Sequence, residues 1–316
     1  MAKEKKKKGS IVINIFIILL FIVGAGIFTY PTISNYWNEY RNAQLVTKYN
    51  ESVSDLSDDQ YEKLWQEAEE YNAEHKVNTI VDAFNEEDYV LSHPYDEVLD
   101  PNGDGLMGSI EIPKLNLILA IYHGLSTEVL EKGVGHVEGT SLPIGGASTH
   151  AVLAGHRGLP SAKLFTDLDR LQKGDIFLLH IYDQVFTYEV DQIHIVEPID
   201  YGLLNIEEGE DLCTLLTCTP YGINTQRLLV RGHRIANRAG DNSRITSDAA
   251  KVSTVLVAVG IGIPLLIISF IAVDVSERVP KRKKKSKNRS KNRRRKATIQ
   301  TRAKRIRTKQ TSGRRR

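Results

Sequence analysis

Residues Thr214–Arg234 read TLLTCTPYGINTQRLLVRGHR, and the architecture follows from how this stretch pairs with itself. A β-type run, Leu212 to Thr217, ends on Cys218. A loop of turn formers follows (Pro220, Tyr221, Gly222, Asn224), and a second β-type run, Arg227 to Gly232, opens on an arginine. Two short apolar runs joined by Pro, Gly and Asn predict adjacent strands. Antiparallel pairing then sets the thiol at the end of one strand beside the cation at the start of the next. A fixed cation favours thiolate over thiol and stabilises negative charge developing beside it. The second cysteine, Cys213, sits five positions before Cys218. Strand side chains alternate, so the two thiols face opposite ways and do not pair. Cys213 reads as a small buried hydrophobe, Cys218 as the reactive one.

Outward from this stretch the pattern stays β. MGSIEIPKL, LILAIYHGL, HAVLAGH, DIFLLHI, QVFTYEV, QIHIVEPI, LCTLLTC and RLLVRGH recur at near-regular spacing, with Gly, Pro and Asp between them. Such runs predict one closed or nearly closed β barrel over residues 106–238, interrupted by short helices at Thr127–Lys132 and Ser161–Leu171. Residues 79–105 form a polar connector ending in Asp100-Pro101-Asn102-Gly103-Asp104-Gly105. Asp100, Asn102 and Asp104 resemble the start of a calcium loop, but the following strand does not fit a helix–loop–helix site. Residues 31–78 carry Tyr36, Trp37, Tyr40, Leu56, Tyr61, Leu64, Trp65 and Ala68 at helical spacing, with Ser57 or Asp58 as cap. They read as a stalk or packing arm. Among nine histidines, His156 stands out. It ends the apolar run AVLAGH and is flanked by Gly155 and by Arg157-Gly158, a setting for a tight turn at a strand end.

Charge is segregated along the chain. Residues 281–316 hold 20 Lys/Arg and no Asp/Glu, whereas residues 31–251 hold 16 Lys/Arg against 36 Asp/Glu. Two uncharged apolar runs separate these blocks, at 11–30 and 252–273. Each is long enough to cross a hydrocarbon core of roughly 30 Å. Positive charge lies outside both, at Lys3 and Lys5 to Lys8 and again from Arg278 onward. The expectation is two transmembrane helices, both termini cytoplasmic, and residues 31–251 outside. The first run is longer than a signal-peptide core and lacks a small-residue cleavage site, so an anchor is expected in place of a cleaved leader. Residues 1–10 and 274–316 then form basic cytoplasmic ends, with 239–251 a linker. The tail lacks aromatic interleaving, so anionic lipid headgroups are its expected partner and nucleic acid is not.

The stretch at Thr214–Arg234 resembles the TLxTC…R signature of the sortases, cysteine transpeptidases of Gram-positive surfaces, and HAVLAGHRGLPSAKLF resembles the segment carrying their histidine. The helical region, the connector and the second apolar run make the chain most similar to class C, the pilin-polymerising sortases. The resemblance covers roughly residues 30–275. It implies a mainly β fold, an eight-stranded sortase-type barrel with short helices. It further implies Cys218 as nucleophile, His156 as proton-transfer partner and Arg227 as electrophilic stabiliser. Asp82 and Phe84, in Asp82-Ala83-Phe84, match the lid motif of class C with alanine in place of proline.

The implied reaction is acyl transfer from an LPxTG-like signal on a secreted pilin or surface protein. Cleavage between Thr and Gly leaves a thioacyl enzyme, and a lysine amine of the next pilin resolves it. No cofactor or metal enters this scheme. Two other readings are attachment to a cell-wall amine and a non-catalytic, membrane-anchored assembly module.

Overall fold

The computed structural model describes residues 2–75 and 94–238, together with Gly260, Gly262 and Pro264. Residues up to Val259 and from Gly260 onward fall into separate units. In the second unit the three described residues are helical. The expected lid residues Asp82 and Phe84 lie outside the described residues, as does nearly all of the expected second span.

The barrel is present and closed. Its strands are β1 (Leu106–Ile112), β2 (Leu117–His123), β3 (Val134–His136), β4 (Thr149–Ala154), β5 (Ile176–Ile181), β6 (Gln184–Val196), β7 (Asp211–Thr219) and β8 (Gln226–Ile235). They close in the order β1-β2-β3-β4-β7-β8-β6-β5. Closure removes the free edges that an open sheet would expose. β2/β3 and β4/β7 pair in parallel, and the other neighbours are antiparallel. The interior is filled by Ile110, Ile121, Leu153, Phe177, Leu179, Tyr188, Leu215 and Val230, all essentially without solvent contact.

Three details differ from the sequence expectation. QVFTYEV and QIHIVEPI are one strand, β6, with a bulge between Val190 and Gln192. The extra residue of the bulge, Asp191, receives the Nε–H of Arg231 at 3.2 Å and also pairs with its Nη2. The second difference is β3, a three-residue strand with no pattern of its own, held between β2 and β4. The expected helix at Thr127–Lys132 forms as α3, capped by Ser126. Around Ser161–Leu171 there is instead a turn-rich segment with one 3-10 turn at Leu168–Arg170.

The N-terminal region is also more continuous than its composition suggests. The expected span 11–30 and the start of the expected helical region are one helix, α1 (Ala2–Ser54), which runs through Pro31. Among the described residues it is the one helix long and apolar enough to cross a membrane. Its polar half is a packing arm. Ala43, Val46 and Tyr49 are buried, and Asn42 bridges two barrel segments, accepting from Ala120 N and donating to Lys132 O at 3.0 and 3.2 Å. Tyr49 OH donates to Met107 O at 2.7 Å and accepts from Tyr182 N at 3.0 Å. The next helix, α2 (Asp58–Glu74), starts with a capping box between Ser57 and Gln60. It lays Tyr61 and Trp65 on Tyr182 and Phe186.

After residue 93 the chain returns through a buried polar knot. Tyr95 OH faces His136 Nδ1 at 2.9 Å and accepts Gly124 N–H at 3.1 Å. His136 Nε2 faces Ser141 O at 2.9 Å. The Asp100 carboxylate accepts Asp104 N–H and Gly105 N–H at 3.1 and 2.8 Å. It therefore builds the turn that leads into β1. Among the described residues no group of His, Cys, Asp and Glu could hold a metal ion.

Candidate active site

Strand pairing alone brings the sequence-predicted residues together. β7 and β8 are antiparallel, and Cys218 stands directly opposite Arg227. On the other side of β7, parallel β4 pairs Ala154 with Leu216. Gly155 N–H extends that ladder to Leu216 O at 3.1 Å, and Thr217 Oγ1 donates back to Gly155 O at 2.7 Å. Two positions past Ala154 is His156, two positions past Leu216 is Cys218. Cysteine and arginine thus face each other at the ends of β7 and β8, and the histidine follows just past the end of the neighbouring strand β4.

Each of the three sits in a protected setting. Cys218 is 9% exposed and Arg227 is 6% exposed, while His156 is half-buried. Arg227 Nη1 donates to the carbonyls of Asn224 and Gln226 at 3.4 and 3.3 Å, so the loop between the strands aims the guanidinium. Low exposure lowers the local dielectric and strengthens what a fixed cation does to charge on a neighbouring atom. Burial pushes the His156 imidazole below its ordinary pKa, and the field of Glu131 opposes this only in part. A neutral ring is ready to accept a proton, and its conjugate acid gives one up readily. Cys213 and Cys218 are both free thiols. Cys213 lies in the core, where burial drives its pKa well up. It belongs to the packing, as expected.

Several contributors were not visible in the sequence. Arg157 follows His156 and ties the end of β7 to the 3-10 turn at Leu168–Arg170, its Nη1 donating to Thr219 Oγ1 at 3.0 Å and its Nη2 pairing with Asp169. Its place between His156 and Gly158 was the available signal. Gly158 has a φ of +83°, and a Cβ there would lie 3.1 Å from the Tyr221 ring. Four large apolar side chains of neighbouring segments are exposed: Ile195 and Ile199 from the end of β6 and beyond, and Tyr221 and Ile223 from the β7–β8 loop. In the segment after β6, His150 holds Asn205 O through Nδ1 at 2.8 Å and faces Thr214 Oγ1 through Nε2 at 2.7 Å. Arg231 pairs with Glu207 of the same segment.

Comparison with known proteins covers the barrel that carries these residues. Residues 110–235 match the model of the Sortase domain. Among solved structures, the chain is similar to sortase C of Streptococcus pneumoniae. The two are 45% identical, the likeness covers 61% of this chain and 97% of that one, and the TM-score is 0.58. Sortase C1 of Streptococcus agalactiae is 44% identical over 62% of this chain and 100% of its own, with a TM-score of 0.56. Sortase D of Bacillus subtilis is 33% identical over 131 residues, 40% of this chain and 63% of that protein. The closed barrel and these relatives together place the chain in the sortase family of cysteine transpeptidases.

Proposed function

We propose that this chain is a membrane-anchored, pilin-polymerising sortase. The observation that carries the proposal is the pairing of Cys218 with Arg227 at the ends of β7 and β8, with His156 just past the end of the neighbouring β4. It is supported by the similarity to sortases C, one of which was described with respect to pilin substrate specificity. In the proposed reaction His156 takes the proton of the Cys218 thiol, the thiolate so formed attacks the Thr carbonyl carbon of an LPxTG-like signal, and Arg227 stabilises the charge gathering on the carbonyl oxygen. The Thr–Gly bond breaks as His156 gives its proton to the glycine amine. The acyl group is left as a thioester on Sγ. A lysine amine of the next pilin then attacks, His156 takes the amine proton, and the thiolate leaves. Tyr221 and Ile223, exposed in the loop that follows Cys218, offer apolar surface to the hydrophobic part of such a signal.

Anchoring follows the same reading. α1 serves as the first span, residues 252–273 as the second, and both basic ends lie on the cytoplasmic side. Asp82 and Phe84 take the covering role implied by the family resemblance. The test is intact mass on the full chain in detergent, incubated with an LPxTG peptide, wild type beside Cys218→Ala. A thioacyl adduct on wild type alone is expected. No adduct on wild type, or an equal adduct on the variant, would refute the route. Adding a pilin-type lysine peptide or a wall-type amine then reads the acceptor directly.

A further inference from the structure

The anchor helix holds the loop that leaves the catalytic rim at His156. Between His156 and Phe165 the chain makes a loop closed at its neck, where Phe165 N–H donates to His156 O at 3.1 Å. Inside the neck, Gly158 N–H donates to Thr166 Oγ1 at 3.1 Å, and Ala162 and Phe165 are buried. The far side of this loop is held by α1. Ser34 Oγ donates to Ser161 O at 2.9 Å, and Asn35 Oδ1 accepts Lys163 N–H at 2.7 Å. The Asn35 amide is itself oriented, its Nδ2 donating to Glu39 Oε1 at 2.7 Å one turn along the helix. Two turns past Asn35, Asn42 fastens α1 to the barrel. A helix rises about 1.5 Å per residue, so Asn35 lies only about 8 Å along the axis from Tyr30, the last residue of the apolar run.

We propose that Asn35, seconded by Ser34, is a positioning residue for acyl transfer: the membrane-anchor helix grips the loop that begins at His156 and so fixes the imidazole beside Cys218. The inference rests on His156 being the proton-transfer group. The chain of contacts is short and directional. Asn35 holds Lys163, Lys163 lies two residues before Phe165, and Phe165 holds the carbonyl of His156. Asn35 touches neither the thiol nor the rim, so it acts through the loop. Proton transfer depends steeply on placement, whereas binding of the peptide does not pass through this contact.

The test uses the full chain in detergent or nanodiscs, with steady-state transfer of an LPxTG peptide to a lysine amine. Asn35→Ala removes the acceptor of Lys163 N–H, and alanine in a helix favours folding. It is expected to lower kcat about tenfold while KM for the peptide stays within about twofold. Asn35→Asp keeps an oxygen in place for Lys163 N–H and is expected to restore kcat to near the wild-type value. Ser34→Ala should lower kcat by a smaller factor. Wild-type kcat in Asn35→Ala, or Asn35→Asp as impaired as Asn35→Ala, would overturn the inference. His156→Ala separates the two layers. If it is inactive while Asn35→Ala is unaffected, only the positioning role fails. If it turns over normally, the role of His156 fails and the positioning role with it.

Discussion

Adding a single methyl group at Gly155 tests whether the packing behind His156 governs both stability and turnover. A Cβ at this position would lie 2.8 Å from Phe165 Cδ2, 3.1 Å from Cγ and 3.3 Å from Cε2. The nearest of these is closer than carbon atoms approach, and the obstacle is a rigid ring that is itself fully buried. Phe165 must therefore move, and overpacking of this kind costs about 1–3 kcal/mol. For a domain of this size each kcal/mol lowers the melting temperature by about 2–4 °C, so Gly155→Ala should melt roughly 2–12 °C below wild type. The consequence for chemistry follows from the same ring. Phe165 N–H closes the loop onto His156 O, so displacing it shifts the imidazole and should lower kcat by more than about tenfold. Thermal unfolding by circular dichroism and thioacyl formation by intact mass measure the two effects. Gly155→Ala/Phe165→Leu trims the ring that is struck and should recover part of both, a coupling expected of residues in contact. Wild-type melting and wild-type acylation in Gly155→Ala would refute the reasoning.

Two further outcomes are expected. Arg227→Lys keeps the charge and loses the planar fork that Asn224 and Gln226 orient, so kcat for acylation should fall by about 10²–10³, read by rapid-quench mass spectrometry; near-wild-type turnover would remove Arg227 from its proposed role. The pH dependence of stability should be set largely by His136. Burial holds its imidazole down to about 3 from an ordinary 6.5, so between those values the unfolded chain binds a proton that the folded chain refuses. Its contribution is then complete above about pH 6.5, falls with decreasing pH by up to about 1.4 kcal/mol per unit, and levels off below about 3. His150 and His156, also depressed by burial, add in the same direction, and Asp211, raised by burial, opposes them only near the carboxylate range. Melting temperature from pH 7.5 to 4.5 should decline, and His136→Gln should flatten the decline. A flat wild-type profile would contradict it.

What is legible in the sequence, and what is not, divides by the range of the interaction responsible. β7 and β8 are readable because their pairing is local: an alternating run, a Pro/Gly/Asn loop and a second run carry their register with them. For the same reason the sequence alone sets Cys218 beside Arg227. His156 is harder to single out, because its neighbour β7 is distant in sequence and the parallel ladder that aligns them leaves no local trace. β3 escapes a sequence reading since Val134-Gly135-His136 is too short to show a period. β6 reads as two strands because Asp191 looks like a turn residue, whereas its charge is satisfied by Arg231 on the next strand. The unbroken course of α1 is hidden by a change in composition at residue 30, since a shift from apolar to polar surface alters what a helix faces without ending it. The Asn35–Lys163 contact spans 128 residues and has no local signature.

The two kinds of pairing around β7 leave different freedoms for inserted sequence. Cys218 and Arg227 are joined by a hairpin, so a residue added to or removed from that loop shifts the register and rotates one of the two off the rim. His156 and Cys218 are aligned by a parallel ladder that no connecting loop determines. The connections between β5, β6 and β7 can lengthen, shorten or acquire a new element while the rim stays assembled. Distant members of such a lineage should therefore keep a nearly constant interval from cysteine to arginine and a widely varying one from histidine to cysteine. The variable interval contains the segment after β6, so the part of the chain that carries the exposed Ile199 is also the part freest to diversify.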